Sequence, residues 1–270
     1  MADKVRLDVA LTERGLVETR AKARAAIMAG QVLMDGVKVD KAGVLVQPAN
    51  NITLKETLPF VSRGGLKLFK AIKGFALNLE GRVVLDVGAS TGGFTDCALQ
   101  AGARLVYAVD VGYGQLAWQL RKDHRVVSME RTNIRHLARE SLTGGVPDFC
   151  CIDVAFISLK LVLPVVKELL APPGEVVMLI KPQFEAGREL VGKKGVVREK
   201  GVHLQVLQGI LDTSQDLGFA PGNIDFSPIR GPEGNIEYLL HGFFAGQGPS
   251  LQPLDVVEQA HNYFMEKGQD

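Results

Sequence analysis

Residues 82–96, Arg-Val-Val-Leu-Asp-Val-Gly-Ala-Ser-Thr-Gly-Gly-Phe-Thr-Asp, constrain the architecture more than any other stretch of this chain. Val83, Val84, Leu85 and Val87 form a short apolar run bounded by turn residues, which predicts a strand buried on both faces. Gly88, Gly92 and Gly93 supply backbone freedom where the chain must turn sharply and approach a ligand. Phe94 to Leu99 read as the start of a helix. Strand, glycine loop and helix N-terminus make a nucleotide-type site at the carboxyl edge of a parallel sheet. The order Gly88-x-x-x-Gly92-Gly93 is not the dinucleotide fingerprint, and no Gly-Lys-Ser/Thr follows, which excludes a P-loop. Asp110 closes the next apolar strand, Leu105 to Val109, where a carboxylate can accept hydrogen bonds from both hydroxyls of a ribose. The combination suits an adenosine cofactor with little or no phosphate and points to S-adenosylmethionine. The competing reading is a buried strand and tight turn with no ligand, because short glycine motifs are weak signals.

The chain has 270 residues, enough for one or two domains, and its 46% hydrophobic and 23% charged content is that of an ordinary globular protein. Net charge is +1, so any nucleic-acid surface must be a local patch. Three cysteines, Cys97, Cys150 and Cys151, do not suggest a disulfide framework; they read as small buried side chains in a reducing compartment. Five scattered histidines suggest no metal site. The N-terminus lacks a signal-peptide pattern, and the longest apolar run, Leu159 to Leu170, is broken by Lys160, Pro164, Lys167 and Glu168. The expectation is a cytoplasmic protein without membrane association.

Residues 1–54 read as a separate small α+β module, 55–60 as a linker stiffened by Pro59, 61–246 as the main domain and 247–270 as a tail without a functional reading. In the module, helices are predicted from Arg6 to Arg14 and, capped by Thr19, from Arg20 to Ala29. Strands are predicted at 31–34, 37–39 and 51–54, with a hairpin turn at Asp35-Gly36. Arg6-Leu-Asp8, Thr19-Arg20 with Ala21 and Ala25, and Gly30-x-Val32-x-Met34-x-Gly36 resemble the small RNA-binding domain named after ribosomal protein S-four. That resemblance implies that Arg6, Arg20, Lys22 and Arg24 meet RNA phosphates, against the alternative of a solvated helix face.

The main domain opens with Val61-Ser-Arg-Gly-Gly-Leu-Lys67-Leu, in which Arg63 is a further RNA-binding candidate. Lys67, Lys70 and Lys73 are spaced to share one helix face, with Leu66, Phe69 and Ile72 expected as the buried side. Strands are predicted at 82–87, 104–109, 125–128, 147–153 and 175–181, and helices near 94–101, 115–122, 134–141, 158–170 and 202–217. This alternation predicts an α/β fold with a mostly parallel sheet. Two more strands, 219–226 and 236–244, can pair as an antiparallel hairpin.

Asp153 and Lys181 end apolar strands, where open α/β sheets place their sites; a charge there is costly unless paired or wet. Their pairing can be catalytic or purely structural. Taken with Val61-Ser-Arg-Gly-Gly-Leu-Lys67-Leu, Asp86-Val-Gly-Ala-Ser-Thr-Gly-Gly-Phe-Thr-Asp96, Glu130-Arg-Thr-Asn133, Asp153-Val-Ala-Phe-Ile-Ser158, Lys181-Pro-Gln-Phe-Glu185 and Asn235-Ile-Glu237, the chain resembles the FtsJ-type ribose 2′-O-methyltransferases. With the N-terminal module, it is similar to the TlyA family of ribosomal RNA methyltransferases, historically labelled hemolysins. The resemblance implies a Rossmann-like methyltransferase fold and a catalytic tetrad on Lys67, Asp153, Lys181 and Glu237. Gly65-Leu66 departs from the Gly-Ala or Ala-His expected before the lysine and leaves the tetrad untouched.

A ribose 2′-hydroxyl is a poor nucleophile, so a site must hold it in line with the methyl donor and help its proton leave. Lys181 is the candidate for that role, with Asp153 orienting it and Glu237 orienting Lys67 or the hydroxyl. Asp86, Gly88, Ser90, Thr91, Gly92, Gly93, Phe94 and Asp110 are expected around the cofactor, with Thr132 and Asn133 near its adenine. In the glycine-rich loop 185–198, Lys193, Lys194 and Arg198 are expected to touch RNA phosphate, or else to sit on a solvated loop. The resulting expectation is methylation of a cytidine ribose in ribosomal RNA of the large, and also the small, subunit. Rival readings are a membrane-active cytolysin, an RNA-binding protein with an inactive methyltransferase fold and, more distantly, a nicotinamide-dependent dehydrogenase.

Overall fold

The computed structural model describes residues 4–55, 58–244 and 248–268. Two compact units divide between Leu58 and Pro59. Residues 56 and 57 of the predicted linker and 247, 269 and 270 of the predicted tail lie outside the described residues.

The small unit runs β1 (Val5–Arg6), α1 (Leu7–Glu13), α2 (Arg20–Met28), β2 (Val32–Met34), β3 (Val37–Val39), β4 (Leu45–Val46) and β5 (Ile52–Leu54). Thr19 caps α2, its hydroxyl oxygen accepting from the Lys22 amide at 3.3 Å. Asp35 and Gly36 both adopt left-handed backbone, with φ of 51° and 80°, as a two-residue hairpin turn requires. Strands β3, β2 and β5 form one antiparallel sheet. Leu7, Leu11, Ala23, Ile27 and Val32 bury the helices against it.

One charged group lies inside this unit. Asp8 on α1 is fully buried, and its carboxylate accepts from the Nε of Arg6 at 2.9 Å and of Arg20 and Arg24 at 3.0 Å each. The three arginines keep about half of their side-chain surface in solvent. Hydrogen bonding from Arg6 is the largest influence, opposed by burial and reinforced by Arg24 and Arg20; it holds the Asp8 carboxyl well below the usual carboxylate range.

The large unit begins with α3 (Gly64–Gly74) and continues with β6 (Val83–Val87), α4 (Gly93–Gln100), β7 (Leu105–Val109), α5 (Trp118–Arg121), β8 (Val126–Met129), β9 (Phe149–Ile152), α6 (Leu159–Leu169), β10 (Glu175–Ile180), α7 (Pro182–Glu185), α8 (Lys200–Asp216), β11 (Ala220–Phe226), β12 (Tyr238–Phe243) and α9 (Pro253–Glu266). Its sheet has the order β8-β7-β6-β9-β10-β12-β11. The first five are parallel, and β12 runs antiparallel between β10 and β11. All residues of β6, β9 and β10 are buried, as strands covered on both faces must be. Alternate side chains split between two cores: Val83, Leu85 and Val87 face the side of α6, α8 and α9, whereas Val84, Cys151 and Val177 face that of α3 and α4. All three cysteines are free and buried. Among the described residues, no helix is long and apolar enough to cross a membrane.

Three local expectations are corrected. The helix expected over 134–141 is two 3-10 turns, Ile134–His136 and Arg139–Ser141, because Leu137 and Ala138 turn extended and Leu137 enters the core. The helix expected over 115–122 shrinks to α5, because Ala117 is extended and its amide donates to the Thr91 carbonyl. On α3 the buried residues are Gly65, Lys67, Leu68 and Ala71, whereas Phe69 is 45% exposed. Lys67 points inward, and Lys70 donates to Asp225 at 2.9 Å and to the Phe226 carbonyl at 2.6 Å, so no shared solvated basic face exists. The tail contains α9, whose Val257, Ala260 and Phe264 belong to the core.

Asp8→Asn removes the charge that gathers three cations and should destabilise the full protein by about 1–3 kcal/mol, read by denaturant unfolding. Because the folded carboxyl sits below its unfolded value, its contribution is fully present above about pH 4 and is lost as pH falls through the depressed folded value. The variant should lose this part of the acid sensitivity.

Candidate active site at the carboxyl edge of the sheet

The loop after β6 is shaped by close backbone approaches. Gly88 has φ of 87°, and a Cβ there would lie 2.5 Å from the carbonyl oxygen of Asp153. At Gly93 a Cβ would lie 2.3 Å from Ser62 Oγ and 2.7 Å from the Gly65 amide, so the N-terminus of α3 rests on that of α4. This contact delivers Lys67 to the end of the sheet. Beneath the loop, Asp86 is fully buried and accepts the Thr95 hydroxyl on Oδ2 at 2.6 Å, while its Oδ1 has no hydrogen-bond partner among the described residues. Burial pushes its carboxyl up to about 7, against the Thr95 hydrogen bond.

Lys67, Asp153, Lys181 and Glu237 meet in one buried cluster. Lys181 Nζ lies 2.5 Å from Asp153 Oδ1, Lys67 Nζ lies 3.7 Å from Asp153 Oδ2, and Lys67 Nζ lies 2.6 Å from Glu237 Oε2. No side chain of the four is more than 18% exposed. Asp153 Oδ1 and Glu237 Oε2 are buried and are met by the cations at these distances without regular hydrogen-bond alignment. Burial opposes the Lys67 ammonium, yet Asp153 and Glu237 outweigh it and raise its pKa above the ordinary lysine value. Burial likewise raises the Glu237 pKa, against the pull of Lys67 and Lys181.

Two cavities flank this cluster. The smaller, about 360 Å³, is lined by all four charged residues and by Arg63, Gly88, Ser90, Thr91, Gly93 and Phe94. The larger, about 640 Å³, is lined by Gly88, Ser90, Asp110, Thr132, Asn133 and Asp153. Asp110 accepts the Ser90 amide on Oδ2 at 2.8 Å and the Gly112 amide on Oδ1 at 2.7 Å. Each oxygen can accept a further hydrogen bond, and Asp110 lines the larger cavity. The expected cofactor set thus divides between two adjoining spaces. Asp86 and Gly92 lie apart from both linings: Asp86 supports the loop from below, and Gly92 caps α4 with φ of 96°.

Sequence reasoning missed the apolar walls of the larger cavity, Val111, Ile134, Val154 and Phe156. It also missed what pins the 185–198 loop. Glu185 accepts the Ser158 hydroxyl at 2.6 Å and the Leu159 amide at 2.8 Å. Asn235 accepts the Val197 amide at 3.0 Å and donates to the Gly195 carbonyl at 2.8 Å. His203 Nε2 meets the Val197 carbonyl at 3.1 Å, and Nδ1 meets the Tyr238 hydroxyl at 2.7 Å. Burial holds the His203 pKa down to about 4, so the ring is neutral at pH 7 and donates from Nε2. A histidine among Val206, Leu207 and Ile210 on the apolar face of α8 was the available signal.

Of the expected RNA contacts, Arg6, Arg20 and Arg24 gather around Asp8, whereas Lys22 stands apart and pairs with Glu18. Lys193, Lys194 and Arg198 are exposed on the pinned loop, and Arg63 is exposed at the start of α3.

Residues 60–244 match the model of the FtsJ-like methyltransferases, and residues 5–52 match that of the S4 domain. The chain is 52% identical, over 99% of its length and 98% of the relative's, to a Bacillus subtilis protein named as a candidate rRNA methyltransferase, YqxC. It is 43% identical to the 16S/23S rRNA (cytidine-2′-O)-methyltransferase TlyA of Mycobacterium tuberculosis, over 89% and 90% of the two chains. A solved structure from Streptococcus thermophilus, titled a candidate hemolysin, superimposes with a TM-score of 0.77 at 47% identity, covering 99% of each chain. Four charges of alternating sign gathered at the carboxyl edge of the sheet, in a stretch matched over residues 60–244 by one family, leave one assignment: this chain belongs to the FtsJ-like methyltransferases and carries an S4 domain ahead of that fold.

Proposed function

We propose that this protein uses S-adenosylmethionine to methylate a ribose 2′-hydroxyl in RNA, at a cytidine of ribosomal RNA as the names of its TlyA relatives suggest. The observation that carries the reading is the Lys67–Asp153–Lys181–Glu237 cluster at the junction of two cavities. The larger cavity suits the cofactor chemically: a strand-end carboxylate for a ribose diol, backbone and hydroxyl groups at Gly88 and Ser90, and apolar walls for a flat base. Asp110 would hold the ribose, Thr132 and Asn133 the adenine, and Gly88 and Ser90 the methionine portion. When bound, the cofactor supplies an electrophilic methyl group on a sulfonium.

The chain's own residues orient the hydroxyl and receive its proton. Lys181 can accept that proton only as the free amine, after its own proton has left to solvent; it then takes the hydroxyl proton as the new carbon–oxygen bond forms, and Asp153 stabilises the ammonium that results. Lys67, held charged between Asp153 and Glu237, steadies the negative charge that develops on the ribose oxygen. The arginines around Asp8, with Lys22, Lys193, Lys194 and Arg198, grip RNA phosphates outside the site. A ribosomal RNA substrate places this work in the cytoplasm. The cytolysin reading lacks a favouring observation.

The decisive experiment measures transfer of labelled methyl from S-adenosylmethionine to purified ribosomal subunits and naked ribosomal RNA. Label should appear at a ribose, and Lys181→Ala should slow it by about 10²–10⁴-fold; full activity in that variant would refute the assignment. Gly88→Ala should weaken cofactor binding at least about tenfold in calorimetry, because the added Cβ forces the loop away from Asp153. Since burial raises Glu237, single-turnover rates should fall with decreasing pH before an ordinary carboxylate would protonate. Glu237→Gln should remove the Glu237 step from that acid limb and leave the fall due to protonation of Lys181.

A further inference from the structure

A third cavity of about 300 Å³ adjoins the catalytic one and shares Arg63, Ile229, Arg230 and Pro232 with it. Its lining contains three cations, Arg63, Arg230 and Lys267, and, among the described residues, no carboxylate. The nearest acids in sequence, Glu233 and Glu266, are exposed and lie outside the lining.

Arg230 is held in place. Its Nη2 donates to the Phe264 carbonyl at 3.2 Å, and its guanidinium stands 5.0 Å from the centre of the Phe264 ring. Its Nε is buried without a hydrogen-bond partner among the described residues. A buried, unpaired guanidinium N–H is costly unless a ligand takes it up. Lys267 is exposed at the end of α9, its Nζ 4.7 Å from the Tyr263 ring centre. Arg63 lies close enough for its charge to act on Lys67.

We propose that Arg63, Arg230 and Lys267 form a subsite for an RNA backbone phosphate beside the ribose being methylated. Three converging cations, one a fork already oriented by α9, suit a compact anion with several acceptor oxygens. In RNA the 2′-hydroxyl adjoins the 3′-phosphate of the same nucleotide, so a cationic recess opening onto the ribose cavity meets that group. The phosphate is then a ruler: it sets how deep the ribose sits before Lys181. The inference rests on the RNA methylation reading above and assigns α9, in the segment otherwise without a role, to substrate positioning.

The test uses the full chain, naked ribosomal RNA as probe, and the variants Lys267→Glu and Arg230→Gln. Lys267 is exposed, so its charge reversal leaves folding intact if the Arg230 variant does not fold. RNA binding is followed by filter retention across a salt series, and methyl transfer at saturating cofactor. Lys267→Glu should raise the RNA Kd and KM by about tenfold near 50 mM salt and flatten the salt dependence by about 0.7–0.9 in log–log slope, the release of one phosphate contact. Because the phosphate sets the depth of the ribose, its kcat at saturating RNA should fall as well, while its S-adenosylmethionine affinity stays within about threefold of the parent. Unchanged Kd and slope in both variants would overturn the subsite while methyl transfer by the parent protein still supported the activity. Weakened binding in variants of a parent that transfers no methyl would keep the subsite and discard the activity.

Discussion

Four charges in a row, Lys181, Asp153, Lys67 and Glu237, govern how the large unit is built. Neighbours along the row are 2.5, 3.7 and 2.6 Å apart and alternate in sign. An isolated ion at this depth would carry a desolvation cost of several kcal/mol, and alternation is what makes burial tolerable. The four residues come from separate segments: α3, the end of β9, the end of β10 and the approach to β12. The antiparallel insertion of β12 is therefore required. Ile180 pairs with Tyr238, so the start of β12 lies beside the end of β10, and Glu237 reaches the carboxyl edge. A parallel strand in that place would have put Glu237 at the opposite end.

Around this row, neutral polar groups do the anchoring. Asn235 and neutral His203 hold Gly195 and Val197, and Asn235 sits two residues before Glu237. One short segment thus positions a member of the charged row and the base of a cationic loop together. Glu185 closes the other end of that loop through Ser158 and Leu159. The cations at its tip stay exposed while its base is fixed, a geometry suited to meeting an extended anionic surface without reshaping the site.

The small unit solves a related problem with the opposite emphasis. A single buried carboxylate, Asp8, aligns three arginines through their Nε atoms and leaves much of each guanidinium in solvent. In the large unit buried charges of both signs face one another beside a cavity. Here a buried charge pre-orders an outward-facing cationic cluster.

How much was legible from the residues follows from what each signal depends on. The strand and glycine loop at 82–96, the Asp35-Gly36 turn and the Thr19 cap rest on local backbone preferences, and they appear where the spacing put them. The grouping of the four charged residues was legible through family resemblance alone, because successive members lie between 28 and 86 residues apart and no local pattern links them. The phase of α3 was misread, since composition treats Lys67 as a surface residue until Glu237 and Asp153 are brought to it. The apparent helix at 134–141 failed because Leu137 was needed in the core. The roles of Asn235, His203 and Asp8 likewise depend on partners distant in sequence. The sequence alone determined the strands, the longer helices, the class of fold and the residue types available for chemistry, since these follow from short-range sterics and hydrophobic period. Only the tertiary structure decided which charges are buried together and which face solvent, because a charge's environment is set by strand order and register rather than by its neighbours in the chain.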